Sequence, residues 1–213
     1  MGQGKSNLPN VIQNNKGLIV TPILIIAFVI LFSAPVYQFV GEQNYAGAHL
    51  IFAILIIIVS ATVTIQTWMF FRFTLSLHRL AIGSIFLSVT ILEIFHALTY
   101  KGMPYFFFES SPYYATWFYM LSRMMIAVAV LYVVTTEDKK VPLHRKWLYY
   151  GMGLLFASFW IALVYLQWLP DLVIEGQGTT LFKNGLQLAT IAVQIIAIFL
   201  IIKKYRLDDP FYN

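Results

Sequence analysis

The chain has 213 residues, of which 60% are hydrophobic and 11% charged, whereas soluble domains carry about 25% charged residues. So little charge cannot coat a water-exposed globule, which excludes an ordinary soluble enzyme, a disordered chain and a disulfide-built secreted domain. With no cysteine in the sequence there is no disulfide framework, thiolate metal site or cysteine nucleophile. The formal charge of +5 would point to nucleic acid only if the basic residues shared one soluble face.

Apolar runs near or above ~20 residues cross a bilayer as helices, and six are read here: about 18–40, 46–71, 78–99, 114–135, 147–169 and 184–203. The first is too long for the h-region of a signal peptide, and Pro35 spoils its only small-residue cleavage site at Ser33-Ala34, so it is read as a retained helix. The connecting segments alternate in charge. Eleven Lys/Arg fall on one side: Lys5, Lys16, Arg72, Arg79, Lys139, Lys140, Arg145, Lys146, Lys203, Lys204 and Arg206. Lys101 and Lys183 fall on the other. The positive-inside bias then puts both termini in the cytoplasm, and the charge reports membrane orientation; no nucleic-acid partner is implied. The expectation is an all-α, multi-pass bundle forming a single transmembrane domain over 1–213, with no soluble domain in its loops.

Ionisable groups in hydrocarbon cost ~2.5–3.5 kcal/mol each on insertion scales and default to functional candidates. Glu93 and His96, three apart near the outer end of the third span, share a helix face. Arg123 lies about nine residues, or ~13 Å, into the fourth span, and His49 lies near the outer end of the second at a depth matching His96. Charge neutrality favours a Glu93–Arg123 pair with the imidazoles beside it. Two readings stay open: a structural ion pair that fixes helix register, or a pocket opening outward. His49 and His96 could also ligate a b-type haem through neutral imidazole nitrogens. A di-iron carboxylate site needs Glu-x-x-His twice, and it occurs once.

His78 and His144 sit beside Arg79 and Arg145 and read as interfacial. Ten aromatics between Tyr100 and Tyr119, broken by Pro104 and Pro112, read for the most part as a headgroup-level belt, with a lid or an apolar pocket wall above Glu93 and His96 as the alternative use of the remainder. Asn184, Gln187, Thr190 and Gln194 make a polar stripe on the last span that faces other helices, and Thr62 and Gln66 read the same way on the second. No nucleotide loop, kinase motif or Ser/His/Asp set shares a depth, so the chain does not read as an enzyme.

Two stretches carry a family resemblance. Leu92-Glu-Ile-Phe-His96-Ala-Leu-Thr-Tyr100-Lys-Gly-Met103 resembles the acidic-x-x-His…Tyr-Lys-Gly-Met signature of the third type of bacterial membrane-associated sensor domain. Trp168-Leu-Pro170, followed by Glu175-Gly-Gln-Gly178-x-Thr180-x-Phe182-Lys183, resembles that family's second signature, between its fifth and sixth helices. The resemblance implies a sensory input of histidine kinases, diguanylate cyclases and related proteins in the bacterial inner membrane. It would signal to such a cytoplasmic output in cis or trans, with homodimerisation left open. The matched positions are Glu93 (usually Asp), His96, Tyr100, Lys101, Gly102, Met103, Arg123, Glu175, Gly176, Gly178, Thr180, Phe182 and Lys183; His49 matches a histidine of the family's second helix. Tyr119 stands where a tryptophan is usual, Gln187 stands where an acid is common, and the family continues beyond the point where this sequence stops, so a C-terminally truncated chain is expected. The alternatives are a small b-type haem protein with His49 and His96 as ligands, and a transporter or channel subunit.

Overall fold

The computed structural model describes residues 16–104, 109–174 and 176–207. In chain order the elements are α1 Lys16–Thr74, α2 Leu77–Thr99, α3 Pro112–Thr135, α4 Arg145–Tyr165, β1 Val173–Ile174, β2 Gly178–Thr179 and α5 Leu181–Leu207. Among the described residues five helical segments are long and apolar enough to cross a membrane: Asn44–Thr74, Leu77–Thr99, Pro112–Thr135, Arg145–Tyr165 and Leu181–Lys203. The protein is therefore an all-α membrane bundle, as the composition requires. Most side chains of the span expected at 18–40 lie outside the described residues. The backbone is helical through 41–45, where a break between the first two spans was expected. The chain divides into compact units Met1–Ala48 and His49–Asn213, and the packing described below belongs to the second.

Helix starts are set by local chemistry. Ser76 Oγ accepts from the Arg79 amide at 3.1 Å, and Ser111 Oγ accepts from the Tyr114 amide at 3.3 Å with Pro112 opening α3. Each satisfies a donor that the first helical turn leaves without an intrahelical partner. Thr180 does the same for α5, its Oγ1 accepting from the Lys183 amide at 3.2 Å.

Helix α2 is central. Its apolar window is 56% buried, against 6% for α5. It runs antiparallel to α1, since the contacts His49–His96 and Ser60–Thr90 keep a nearly constant residue sum. It runs parallel to α4, since Ser84 Oγ donates to Tyr149 O and Ser88 Oγ to Gly153 O at one fixed offset. Leu92 packs with Trp117, Phe118, Leu121, Val164 and Leu172 in the main core. Toward the basic end a seam of neutral groups joins α1, α2 and α4. Thr67 Oγ1 and Tyr150 OH stand 2.9 Å apart, and Tyr150 OH donates to Thr64 O at 3.1 Å. Glycines let these helices close in. A Cβ at Gly153 would meet Ser84 O at 2.6 Å, and one at Gly83 would collide with Thr67 and Tyr150.

The stripe expected at Thr62 and Gln66 is placed differently. Both are exposed, and Thr62 Oγ1 donates back to Ile58 O; the inward face is Ser60, Thr64 and Thr67, one step round the helix. On α5 the expected stripe does turn inward at Thr190, which is buried, while Asn184 is exposed. The outer faces are apolar, as lipid contact demands, and exposed Trp147 and Trp168 stand at opposite ends of α4, the placement that suits tryptophan at a membrane–water interface.

At the basic end the two short connections clamp each other. Leu77 N donates to Lys139 O and Val141 N to Leu75 O. Asp138 Oδ1 accepts from the His78 amide at 3.0 Å, and His78 Nε2 and Thr136 Oγ1 are 2.9 Å apart. The backbone N–H of His78, with the Ser76 hydroxyl, holds the Asp138 carboxyl below the usual carboxylate range.

Candidate functional site

The site is built where α1, α2 and α3 meet. Glu93 and His96, three residues apart, point from one face of α2 toward α3. His96 is anchored first: its Nδ1 lies 2.8 Å from the carbonyl oxygen of Ala115. A carbonyl only accepts, so Nδ1 carries the hydrogen, and Nε2 of the neutral ring is a bare acceptor. That acceptor stands 3.1 Å from Nε2 of His49, so with His96 neutral His49 is the donor. One hydrogen atom thus joins α1 to α2. Tyr100 stacks on His49 with centroids 3.7 Å apart and planes 19° from parallel, which closes one face of the imidazole.

Below this pair Glu93 is fully buried. Its Oε1 accepts from Ser122 Oγ at 2.6 Å and lies 3.7 Å from Arg123 Nη2. The ion pair is looser than a hydrogen bond, whose N···O distance is about 2.7–3.2 Å. Glu93 Oε2 and Arg123 Nε are both buried without a hydrogen-bond partner. The guanidinium also lies 5.0 Å from the centroid of Tyr119, the ring that stands where a tryptophan was expected, and Tyr119 in turn packs against His96 at 5.6 Å. Arg123 sits near the middle of the 24-residue α3, 30% exposed. It borders a cavity of about 350 Å³ whose other walls include Leu55, Val59, Phe86, Val89 and Ile126. Charge at that depth beside an apolar space is costly without a partner, and here each group is the other's.

The structure thus gathers His49, Glu93, His96, Tyr100 and Arg123. The rest of the first signature forms the turn that leaves α2. Gly102 has φ +94°, a conformation in which a Cβ is strained, Met103 N donates to Tyr100 O at 3.0 Å, and Lys101 is exposed. The second signature builds a hairpin on the other flank of α3. β1 and β2 pair antiparallel, Gly176 and Gly178 take φ of +81° and +90°, and Thr180 Oγ1 donates to Asp171 O at 3.1 Å besides capping α5. Trp117 Nε1 and Tyr113 OH fasten the preceding chain by donating to Pro170 O and Leu169 O, each at 3.0 Å. Gly176, Gly178, Thr180 and the Lys183 amide thus serve this hairpin and cap. Glu175 lies outside the described residues.

Sequence reasoning missed Ser122 and the Ala115 carbonyl. Ser122 had a signal, a small hydroxyl next to a membrane arginine and facing an acid. A backbone carbonyl has none. For haem, two imidazole nitrogens trans on one metal stand about 4 Å apart, given metal–nitrogen bonds of about 2.0–2.1 Å. At 3.1 Å His49 and His96 are set for a hydrogen bond, not for axial ligation. No group of three or more His, Cys, Asp or Glu side chains gathers as a metal site among the described residues.

A helical membrane bundle with a paired-histidine and buried ion-pair cluster defines a multi-pass membrane domain with its polar chemistry inside. Comparison with known proteins makes that specific. The model of the MASE3 family, described as a membrane-associated sensor domain, matches residues 40–213. The chain belongs to this family. No curated protein and no solved structure matches it.

Proposed function

We propose that this sensor domain reads its signal at His49, Glu93, His96, Tyr100, Lys101 and Arg123. A small molecule or a proton taken up there repacks α1 against α2, and the shift leaves through the basic end to a cytoplasmic effector, a histidine kinase or diguanylate cyclase output in cis or trans. The whole stretch 1–213 acts as one sensory unit of the bacterial inner membrane. In this reading Gly102, Met103, Gly176, Gly178, Thr180 and Lys183 shape the outer turns that frame the site. Glu175 belongs to the same loop in the sequence.

The observation that carries the reading is the His49–His96 hydrogen bond at 3.1 Å. It is a side-chain bridge between α1 and α2, and any ligand that claims either nitrogen removes it. It lies above a buried carboxylate with an unpartnered oxygen, so the neighbourhood has unspent hydrogen-bonding capacity. A differential affinity of ~1–3 kcal/mol between two packings is enough for a useful response. The test is Glu93→Gln, with the chain joined to a kinase or cyclase reporter. Output should change while membrane insertion and folding are retained. Joint loss of output, insertion and folding would make the ion pair a structural device instead.

A further inference from the structure

A second site lies away from this cluster, toward the basic end and between α1 and α4. A groove of about 380 Å³ runs there, walled by Ile65, Trp68, Leu87, Tyr150, Gly151 and Leu154. Its walls face the bilayer: Ile65 is 57% and Leu154 48% exposed. Its floor is firm, because Tyr150 OH is held by Thr64 and Thr67. Trp68 stands edge-on to both Tyr150 and Trp147, with centroids 4.7 and 4.9 Å apart.

At its mouth is a cation. Lys146 Nζ lies 3.7 Å above the Trp68 ring, in the first turn of α4, with exposed Trp147 beside it. Among the described residues the salt bridge is Arg123–Glu93, and Lys146 has no carboxylate partner. The same end bears Arg72, Arg79, Lys139, Lys140 and Arg145 against Glu137 and Asp138. An ammonium on an aromatic face at headgroup level, with an apolar channel running from it toward the bilayer centre, complements a molecule with an anionic head and a hydrocarbon tail.

We propose that this groove is a binding site for one anionic phospholipid of the leaflet at the basic end. Lys146 holds the phosphate and one acyl chain lies along Trp68, Tyr150 and Gly151. Gly151 supports the assignment. A Cβ built there meets nothing within 4 Å, unlike Gly83 and Gly153 on the packed faces, so this glycine keeps open space and not a helix contact. The site is independent of the signal-reading cluster. By tying α1 to α4 beside the connection between α1 and α2, a lipid there sets the resting arrangement of the helices at that end.

The experiment exchanges the full chain into micelles containing equal phosphatidylglycerol and phosphatidylcholine and reads retained lipid by native mass spectrometry. The wild type should keep one phosphatidylglycerol. Lys146→Gln should lower the phosphatidylglycerol preference about fivefold, the effect of one basic residue at an anionic surface. Gly151→Leu, whose Cβ meets nothing within 4 Å and whose side chain would occupy the groove, should abolish retention, and Ile65→Trp on the opposite wall should do the same if Gly151→Leu fails to fold. Equal retention of the two lipids overturns the proposal. So does loss of preference in Lys146→Gln with full retention in the groove variants, which would mean headgroup attraction without a seated chain. Soluble glycerol phosphate should not compete; competition would identify a phosphate site that needs no chain.

Discussion

The two polar regions inside this bundle solve the same problem in opposite ways. Toward the basic end, α1, α2 and α4 are joined by neutral hydroxyls with close partners, packed so tightly that two glycines admit no Cβ. In the other half, α1, α2 and α3 are joined by ionisable groups held more loosely: a 3.7 Å ion pair, two buried polar atoms without partners, and one imidazole hydrogen bond. Neutral hydrogen bonds in a dry interior lock a geometry. Charged, incompletely satisfied groups store alternatives, since each can be relieved by a proton, a ligand or a shift of a helix. The first region is a locked seam, and in the proposed function the second is the part that moves.

The largest stability effect should come from breaking the charge balance. Arg123→Leu strands a fully buried Glu93 and should cost toward the lower end of the ~3–5 kcal/mol of a broken buried pair, because the arginine is partly exposed. Unfolding by SDS titration, followed by helicity, measures it, and Glu93→Gln in the same chain should recover most of the loss. Next, Gly153→Val drives side-chain atoms into the Ser84 backbone carbonyl and should cost about 1–3 kcal/mol by overpacking, whereas Gly151→Ala should leave stability unchanged. Equal losses at the two glycines would remove the distinction between a locked seam and an open groove.

The smallest effect belongs to the clamp between the connections. The Asp138 carboxyl titrates below its usual range because the ionised form accepts from the His78 amide and the Ser76 hydroxyl. A lowered folded-state pKa contributes stability that is fully present above the unfolded carboxylate pKa of ~3.9 and lost as the pH falls through the lowered value. The protection of the amides of residues 76–79, taken relative to their intrinsic exchange rates, should therefore fall in acid, below about pH 4, and Asp138→Asn should flatten that dependence with little change at neutral pH.

Much of this was legible before the fold. Charge scarcity and run lengths give a helical membrane bundle, and the i, i+3 spacing of Glu93 and His96, with matched depths, gathers His49, His96 and Arg123 correctly. The second signature was harder. Gly176, Gly178 and Thr180 stand in the sequence as part of the family signature, and the fold uses them in a hairpin and a helix cap, because the chemistry that turns a backbone is also the chemistry that meets a ligand. The hydroxyl seam left little trace: Ser84, Ser88, Thr64 and Thr67 are common types in membrane helices, and only helix packing shows that they meet Tyr150 and the α4 carbonyls. The aromatic groove beside Lys146 was hidden for the same reason, being a property of two helices at once.

The central claim is that signal reading and structural locking reside in different halves of the bundle. The direct measurement is reporter output per folded molecule for His49→Phe and Ser88→Ala, side by side in the same chain. His49→Phe keeps an aromatic ring at the Tyr100 stack and removes the hydrogen shared with His96. It should change output severalfold at a stability cost of about 1 kcal/mol. Ser88→Ala removes the bond to Gly153 and should lower stability by about 0.6–1.7 kcal/mol with output per folded molecule unchanged. Output that follows the folded fraction in both variants would contradict the division and return the histidine pair to a structural role.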